Sequence, residues 1–170
     1  MPLLKASLLK EGRVSEDAWT PVGDEDALPD SGPLLVTLKR WQGERESLRA
    51  RNDAIGIRLP NSAPVEAIAD DLDRIELVAL EFPKFNDGRA FSQARQLRER
   101  YGYAGELRAT GQVLRDQLLF MARCGFDAFE VAKGEPVSAW EAAIAEFSVF
   151  YQPTGDGRPT ARALRRAEAM

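Results

Sequence analysis

The chain has no histidine among its 170 residues and only one cysteine. Histidine is the commonest general base near neutral pH and the commonest transition-metal ligand, so its absence excludes every catalytic triad that depends on imidazole. A single thiol cannot supply the ligands of an iron–sulfur cluster or a structural zinc site, nor can it form an internal redox disulfide. We therefore predict that the chain carries no metal centre of its own.

Long apolar runs and long basic stretches are missing as well. No apolar run approaches the roughly 20 residues that cross a bilayer, and the N-terminal MPLLKASLLKEGR becomes charged too soon for a signal peptide. A net charge of −4 without clustered Lys and Arg argues against a nucleic-acid surface. These absences predict a cytoplasmic protein that binds neither membranes nor nucleic acids.

What is present indicates one α/β domain. The 44% hydrophobic and 29% charged residues are typical of a soluble domain with a sizeable core. Apolar and often β-branched segments predict five strands, and the segments between them have apolar residues three or four positions apart, as in helices. The predicted strands are 33–38, 54–59, 76–82, 106–111 and 127–132. The predicted helices lie near 65–72, 91–101 and 114–121, and strands that alternate with helices favour a mainly parallel sheet.

Two architectures fit this alternation. One is an open three-layer sheet, and the other is a partial β/α barrel that could pair with another copy. We prefer the open sheet, because five strands are too few to close a standard eight-stranded barrel. The domain is expected to span 1–152, followed by a mobile polar tail over 153–170.

Several local signals complete the predicted fold. The first 20 residues suggest a short hairpin around Glu11 and Gly12, and 21–33 reads as an exposed loop. Gly102 and Gly125 follow predicted helices, where a left-handed residue is favoured. Ser138 and Glu141 have the spacing of a capping box, which predicts the start of a last helix that reaches Tyr151.

Charged residues fall near the C-terminal ends of four predicted strands, at Arg58, Glu81, Arg108 and Glu130. The interior of a parallel sheet is normally apolar, so charge placed there is costly unless it is paired or exposed. In either architecture these strand ends lie on one side of the sheet, where ligands bind. The four charges could therefore form a binding pocket, or an ion-pair network that fixes neighbouring strands.

The binding interpretation gains from the loop after the third strand, which adds Lys84, Asp87, Gly88 and Arg89. Guanidinium and ammonium groups would suit a sulfite, a phosphate or a carboxylate. The predicted anion-binding residues are Arg58, Lys84, Arg89 and Arg108. Glu81 and Asp87 are the candidates for an acid or base.

No cofactor signature supports a redox site. Neither the G-x-G-x-x-G nor the G-x-x-x-x-G-K-[ST] pattern occurs, so no cofactor is evident, and a flavin or nicotinamide would have to be held by loop amides and arginines. Cys124 precedes Gly125 at the end of an amphipathic helix, at the end of the sheet opposite the ligand side. We predict that this thiol is buried and inert.

The segment from Leu80 to Glu130 resembles a bacterial family of unknown biochemical activity. Its members are commonly encoded beside sulfite reductase in sulfur-assimilation operons and are often labelled probable oxidoreductases. The matching positions include Pro83, Lys84, Asp87, Gly88, Arg89, Arg115, Asp116, Gln117, Cys124, Gly125, Asp127 and Glu130. The resemblance implies an accessory role in assimilatory sulfite reduction and cysteine biosynthesis, with sulfite reductase subunits as partners. One alternative is an enzyme or carrier that binds a small sulfur oxyanion at the predicted pocket. The label implies an alternative, a flavin or nicotinamide oxidoreductase, and no catalytic residue can be transferred from the family.

Overall fold

A computed structural model describes residues 7–10, 13–131, 137–154 and 156–169. Within these residues the chain forms an eight-stranded sheet of order β2-β1-β8-β7-β6-β5-β4-β3. The strands are β1 (Ser7–Lys10), β2 (Arg13–Ser15), β3 (Thr20–Val22), β4 (Leu34–Thr37), β5 (Ile55–Leu59), β6 (Ile75–Phe82), β7 (Glu106–Gly111) and β8 (Ala128–Val131). The helices are α1 (Leu38–Gly43), α2 (Arg45–Arg49), α3 (Arg89–Arg95), α4 (Leu118–Arg123), α5 (Val137–Ala145) and α6 (Ala161–Glu168). None of the described helices is long and apolar enough to cross a bilayer.

The sheet is mixed and larger than predicted. All five predicted strands are present, as β4 to β8, but the prediction that they make up the whole sheet is wrong. Strands β3 to β8 run parallel, whereas β1 runs antiparallel to β8 and β2 antiparallel to β1. The β1–β2 pairing confirms the N-terminal hairpin, whose predicted turn residues Glu11 and Gly12 lie outside the described residues. Strand β3 was missed because three residues with a central proline show no periodicity, and a proline is tolerated there because β3 is an edge strand.

The helices α1 to α5 pack on one face of the sheet. Each strand from β4 to β8 lies beside the strand that precedes it in the chain, always on the same side. Because crossovers between parallel strands are right-handed, the segments that connect these strands all lie on one face of the sheet. Alternate strand residues such as Ile57, Leu80 and Phe129 share a core with Trp41 of α1 and Met121 of α4. The preferred open three-layer sheet is therefore wrong, because its two helix layers require the strand order to reverse. The winding is that of the other architecture, a partial β/α barrel.

The sheet is curled, as the connection between its two edges requires. Strands β2 and β3 lie at opposite edges, and only residues 16–19 join them. Seven strand spacings of about 4.8 Å would separate the edges of a flat sheet by about 34 Å. The chain from Ser15 to Thr20 can span only about 18 Å. The edges must therefore approach each other, which leaves the helix-free face concave.

Two predicted helices differ from the structure. The segment near 65–72 forms two short 3₁₀ turns instead of an α-helix. The second turn carries the buried Asp71, which accepts hydrogen bonds from Trp41 Nε1 at 3.0 Å and Arg45 Nη2 at 2.8 Å, so tertiary contacts fix its shape. Helix α5 runs from Val137 to Ala145. Ser138 therefore lies inside the helix and not at its N-cap, and the predicted extension of the helix to Tyr151 is wrong.

Arginine side chains tie loops to the sheet. Arg98 donates to the carbonyl oxygens of Tyr103, Gly105 and Gly125 and pairs with Asp127. Gly125 has a φ of 105°, which confirms the predicted left-handed residue.

Beyond the predicted domain end, residues 161–168 form the exposed helix α6, and the predicted mobility of this tail stays a prediction.

Candidate functional site

The concave face carries the charges predicted at the strand ends. Arg58 of β5 and Arg108 of β7 both lie level with Ala79 of β6, and Glu81 of β6 lies level with Thr110 of β7. These residues alternate with core residues along their strands, so all of them belong to the helix-free face. The parallel register therefore brings charges from separate predicted strands onto one surface.

Arg108 is the centre of this arrangement, because its side chain is 0% exposed. Its Nε donates to Glu106 Oε1 at 2.9 Å, and its Nη1 donates to Asp17 Oδ2 at 2.9 Å. Nη1 also lies 3.5 Å from Glu130 Oε1. Nη2 lies 2.8 Å from Glu106 Oε1 but is oriented so that it makes no hydrogen bond. Three carboxylates thus surround one buried guanidinium.

Burial and pairing act against each other on these groups. Burial lowers the pKa of Arg108, but the hydrogen bond to Asp17 and the charge of Glu106 outweigh it, so the pKa is raised. Burial raises the pKa of Glu130, and the charges of Arg108 and Arg58 reduce that shift only in part. The nearby guanidinium groups therefore compensate only in part for the hydration that the Glu130 carboxylate loses on burial.

The four strand-end charges are joined in two ion pairs. Arg108 pairs with Glu130 at 3.5 Å, and Arg58 Nε lies 3.8 Å from Glu81 Oε1. Both contacts are long, and Arg58 and Glu81 are each more than a third exposed, so the Arg58–Glu81 pair contributes little to stability. The network interpretation of the sequence describes these contacts, and it does not account for a cavity beside them.

A cavity of about 560 Å³ lies on the concave face. Its apolar lining comes from Leu8, Trp19, Pro21 and Leu35. Its charged lining comes from Glu16, Asp17, Arg58 and Glu130. The segment 16–19 that joins the sheet edges thus forms one wall, with Trp19 packed against Leu35, Leu77 and Ala79. Three carboxylates and one guanidinium give this lining a negative balance.

The structure divides the predicted anion site between two places. Arg58 lines the cavity and Arg108 lies on the same face, whereas Lys84 and Arg89 lie exposed in or beside the loop after β6. Arg89 Nη2 donates to Asp87 Oδ2 at 2.7 Å, and this hydrogen bond holds the pKa of Asp87 well below its usual range. Anion binding, and a role of Glu81 or Asp87 as acid or base, stay predictions.

Two members of the charge network were missed in the sequence. Glu106 stands two positions before Arg108, so strand alternation alone puts both on one face and could have identified it. Asp17 could not have been identified, because its contact with Arg108 spans 91 positions. It depends on the segment 16–19 crossing from one sheet edge to the other.

The single thiol is buried, as predicted. Cys124 follows α4, and burial raises its pKa, which disfavours the reactive thiolate. Among the described residues, no three His, Cys, Asp or Glu side chains are grouped closely enough to hold a metal ion.

A second surface, outside the concave face, exposes large apolar side chains. We call it the α4 surface and define it by Phe85, Leu114 and Phe120, which are 54%, 40% and 56% exposed. Gln117 joins them: its Nε2 donates to Phe85 O at 2.9 Å, its backbone N–H donates to Leu114 O, and it precedes Phe120 by one helical turn. The ring of Phe120 meets that of Phe91 at a centroid distance of 4.9 Å.

Comparison with known proteins gives one family. A model of a family described as "Bacterial protein of unknown function (DUF934)" matches residues 56–161, which is more than half of the chain. The match begins in β5 and includes the α4 surface, Arg58, Arg108 and Glu130. No curated protein matches the chain.

Proposed function

Since this chain belongs to the DUF934 family of bacterial proteins, we propose that it is an accessory protein of assimilatory sulfite reduction and cysteine biosynthesis. In this proposal it binds a sulfite reductase subunit, which carries the metallocentre, and it acts in the cytoplasm. The resemblance noted in the sequence supplies the pathway, and the α4 surface is the observation that supports a binding role.

The α4 surface has the composition of a protein-binding site. Leaving a phenylalanine exposed forgoes about 1.5–3 kcal/mol of burial free energy, and contiguous apolar patches on soluble proteins usually mark an interface. Phe85 and Phe120 are both more than half exposed. Aromatic side chains are also enriched among the residues that dominate binding energy.

The charges beside this surface indicate the kind of partner. Lys84, Arg89 and Arg115 are all exposed and flank Phe85 and Leu114 in the chain. With Asp87, which pairs with Arg89, and the exposed Asp116, they form a rim of mixed charge. Complementary charge speeds association and selects partners, so we expect the bound subunit to present an apolar patch with charged residues of both signs around it.

A binding measurement with one matched control tests this proposal. Purified sulfite reductase subunits would be immobilised and the affinity of the wild type, Phe120→Ala and Val14→Ala compared. Val14 is 55% exposed, but it lies on β2. We expect Phe120→Ala to weaken binding at least tenfold, which is roughly the effect of truncating a central aromatic, and Val14→Ala to change it less than about twofold. Val14→Ala should keep the wild-type melting temperature, and Phe120→Ala should lower it only slightly, because its half-exposed ring also contacts Phe91.

Two results would overturn the accessory role. One is a wild-type protein that fails to bind any sulfite reductase subunit. The other is an equal loss for both variants, which would show that the α4 surface makes no specific contribution.

The weaker alternative is an enzyme of sulfur metabolism. A small-anion enzyme could use Arg58 in the cavity, and an oxidoreductase could use a flavin or nicotinamide. The small-anion enzyme is weaker because the net negative charge of the cavity lining repels a simple anion such as sulfite. The oxidoreductase is weaker because the sequence has no dinucleotide-binding motif. An absorbance spectrum with flavin bands in the purified protein, or saturable sulfite binding that Arg58→Gln abolishes, would move the proposal to this alternative.

A further inference from the structure

The concave face has room that its side chains do not fill. In a closed β/α barrel, layers of bulky side chains pack the interior. Here small residues, Ala79 and Ala128, occupy two positions of that face, whereas Leu77 fills the space beside Gly56. The remaining cavity of about 560 Å³ is within the usual range for small-molecule sites.

Two opposite charges line this cavity and are incompletely paired. Arg58 has a 3.8 Å contact with Glu81, and Glu130 has a 3.5 Å contact with Arg108, both longer than a charge-assisted hydrogen bond. Arg58 lowers the pKa of Glu130 through space, although the two side chains form no ion pair with each other. A guanidinium and a carboxylate therefore face one cavity without neutralising each other.

The rest of the lining restricts what could satisfy both charges. A simple anion would meet Glu16 and Asp17 as well as Glu130, and a simple cation, although attracted by these carboxylates, would leave the charge of Arg58 unmatched. Trp19 and Leu35 provide an apolar wall beside the charges, where a hydrophobic group would be removed from water. The indole face of Trp19 also favours a neighbouring ammonium group.

We propose that this cavity binds a free α-amino acid with an apolar side chain. Its ammonium group donates to Glu130, its carboxylate accepts from Arg58, and its side chain lies against Trp19. This inference does not depend on the accessory role, because none of these residues belongs to the α4 surface.

The experiment screens the twenty proteinogenic L-amino acids against the intact protein by thermal shift and then measures the hits by calorimetry. At least one apolar amino acid should raise the melting temperature, since a ligand that binds only the folded state stabilises it. For the best hit, the N-acetyl derivative lacks the ammonium charge and the methyl ester lacks the carboxylate. Each capped form should bind at least about tenfold more weakly, because each leaves one charge of the cavity unpaired.

Variants locate the site. Glu130→Gln and Arg58→Gln should each weaken binding of the uncapped amino acid at least about tenfold. Arg95→Gln removes an exposed charge outside the cavity lining and should leave binding unchanged. The capped ligands are tested on the wild type, so the inference can fail even if a cavity variant folds poorly. Absence of binding by all twenty amino acids, or equal binding of capped and uncapped forms, would overturn it.

Discussion

Replacing Arg108 with methionine tests whether the buried guanidinium holds the concave face together. The substitution keeps most of the side-chain volume and removes the charge. Breaking a buried ion pair from one side usually costs about 3–5 kcal/mol, because the partner charge is left uncompensated. Here Glu106 keeps a hydrogen bond from Lys10 Nζ at 2.8 Å, and the Asp17 side chain is 40% exposed and can regain water.

The uncompensated group is therefore mainly Glu130, whose side chain is 22% exposed. We expect a loss near the lower limit, about 3 kcal/mol at pH 7.5. For a domain of this size that corresponds to a fall in melting temperature of roughly 6–12 °C. Since domain stabilities are typically about 5–15 kcal/mol, the variant should still fold.

The loss should also depend on pH. Burial raises the pKa of Glu130, and the charge of Arg108 partly offsets this shift, so the variant should have a still higher pKa. A carboxyl group whose pKa is higher in the folded state contributes stability that is complete below its unfolded pKa, about 4.3, and is lost as the pH rises through the folded value. The loss caused by Arg108→Met should therefore shrink between pH 7.5 and pH 5.

Urea unfolding followed by tryptophan fluorescence measures both effects, and Trp19 on the concave face reports directly on the site. Arg95→Met is the matched control, since Arg95 pairs with Glu99 on an exposed helix surface and should contribute less than about 0.5 kcal/mol. A loss below about 1 kcal/mol for Arg108→Met, or an equal loss at both pH values, would refute the reasoning.

Three further predictions concern the arginine contacts and the thiol. Asp71→Asn should cost about 2 kcal/mol at pH 7. Burial raises the pKa of Asp71, but hydrogen bonds from Arg45 and Trp41 lower it by a larger amount, so the pKa is lowered overall. The stability that Asp71 contributes is therefore present above about pH 4 and is lost as the pH falls through the folded pKa. Urea midpoints at about pH 7 and about pH 3 check this. Arg98→Met should cost about 2–3 kcal/mol, because three loop carbonyls lose a donor, and denaturation that matches the wild type would contradict it. Cys124 should react slowly with a thiol reagent in the native protein and quickly in urea, and fast native labelling would show that the thiol is accessible.

The sequence predicted the parts of the fold that local patterns determine. Strands β4 to β8 have apolar runs long enough to be recognised, and Gly125 marks the end of a helix through its backbone conformation. The strand order could not be predicted in the same way. A three-layer sheet and a one-sided winding use the same alternation of strands and helices, and only the order of pairing separates them.

The candidate site shows the same division. Arg58 and Arg108 were predicted to lie on one side of the sheet because both stand near the ends of parallel strands, and the register places both level with Ala79. The partner Asp17 and the wall residue Trp19 come from a segment without any periodic pattern. Their positions follow from the curl of the sheet, which is a property of all eight strands together. Sequence patterns therefore indicated the charges of the site and missed the segment that forms one of its walls.

The short connection over residues 16–19 makes the N-terminal part of the chain indispensable to the part that matches the family. A fragment limited to 56–161 would begin inside β5 and lack β1 to β4. Strands β5 and β8 would then each present unpaired backbone groups along a new edge, which favours aggregation. Arg108 would lose the carboxylate of Asp17, and the apolar residues of the concave face would lose their tryptophan cover. The family match thus covers a region of sequence that, in this chain, is only part of a folding unit.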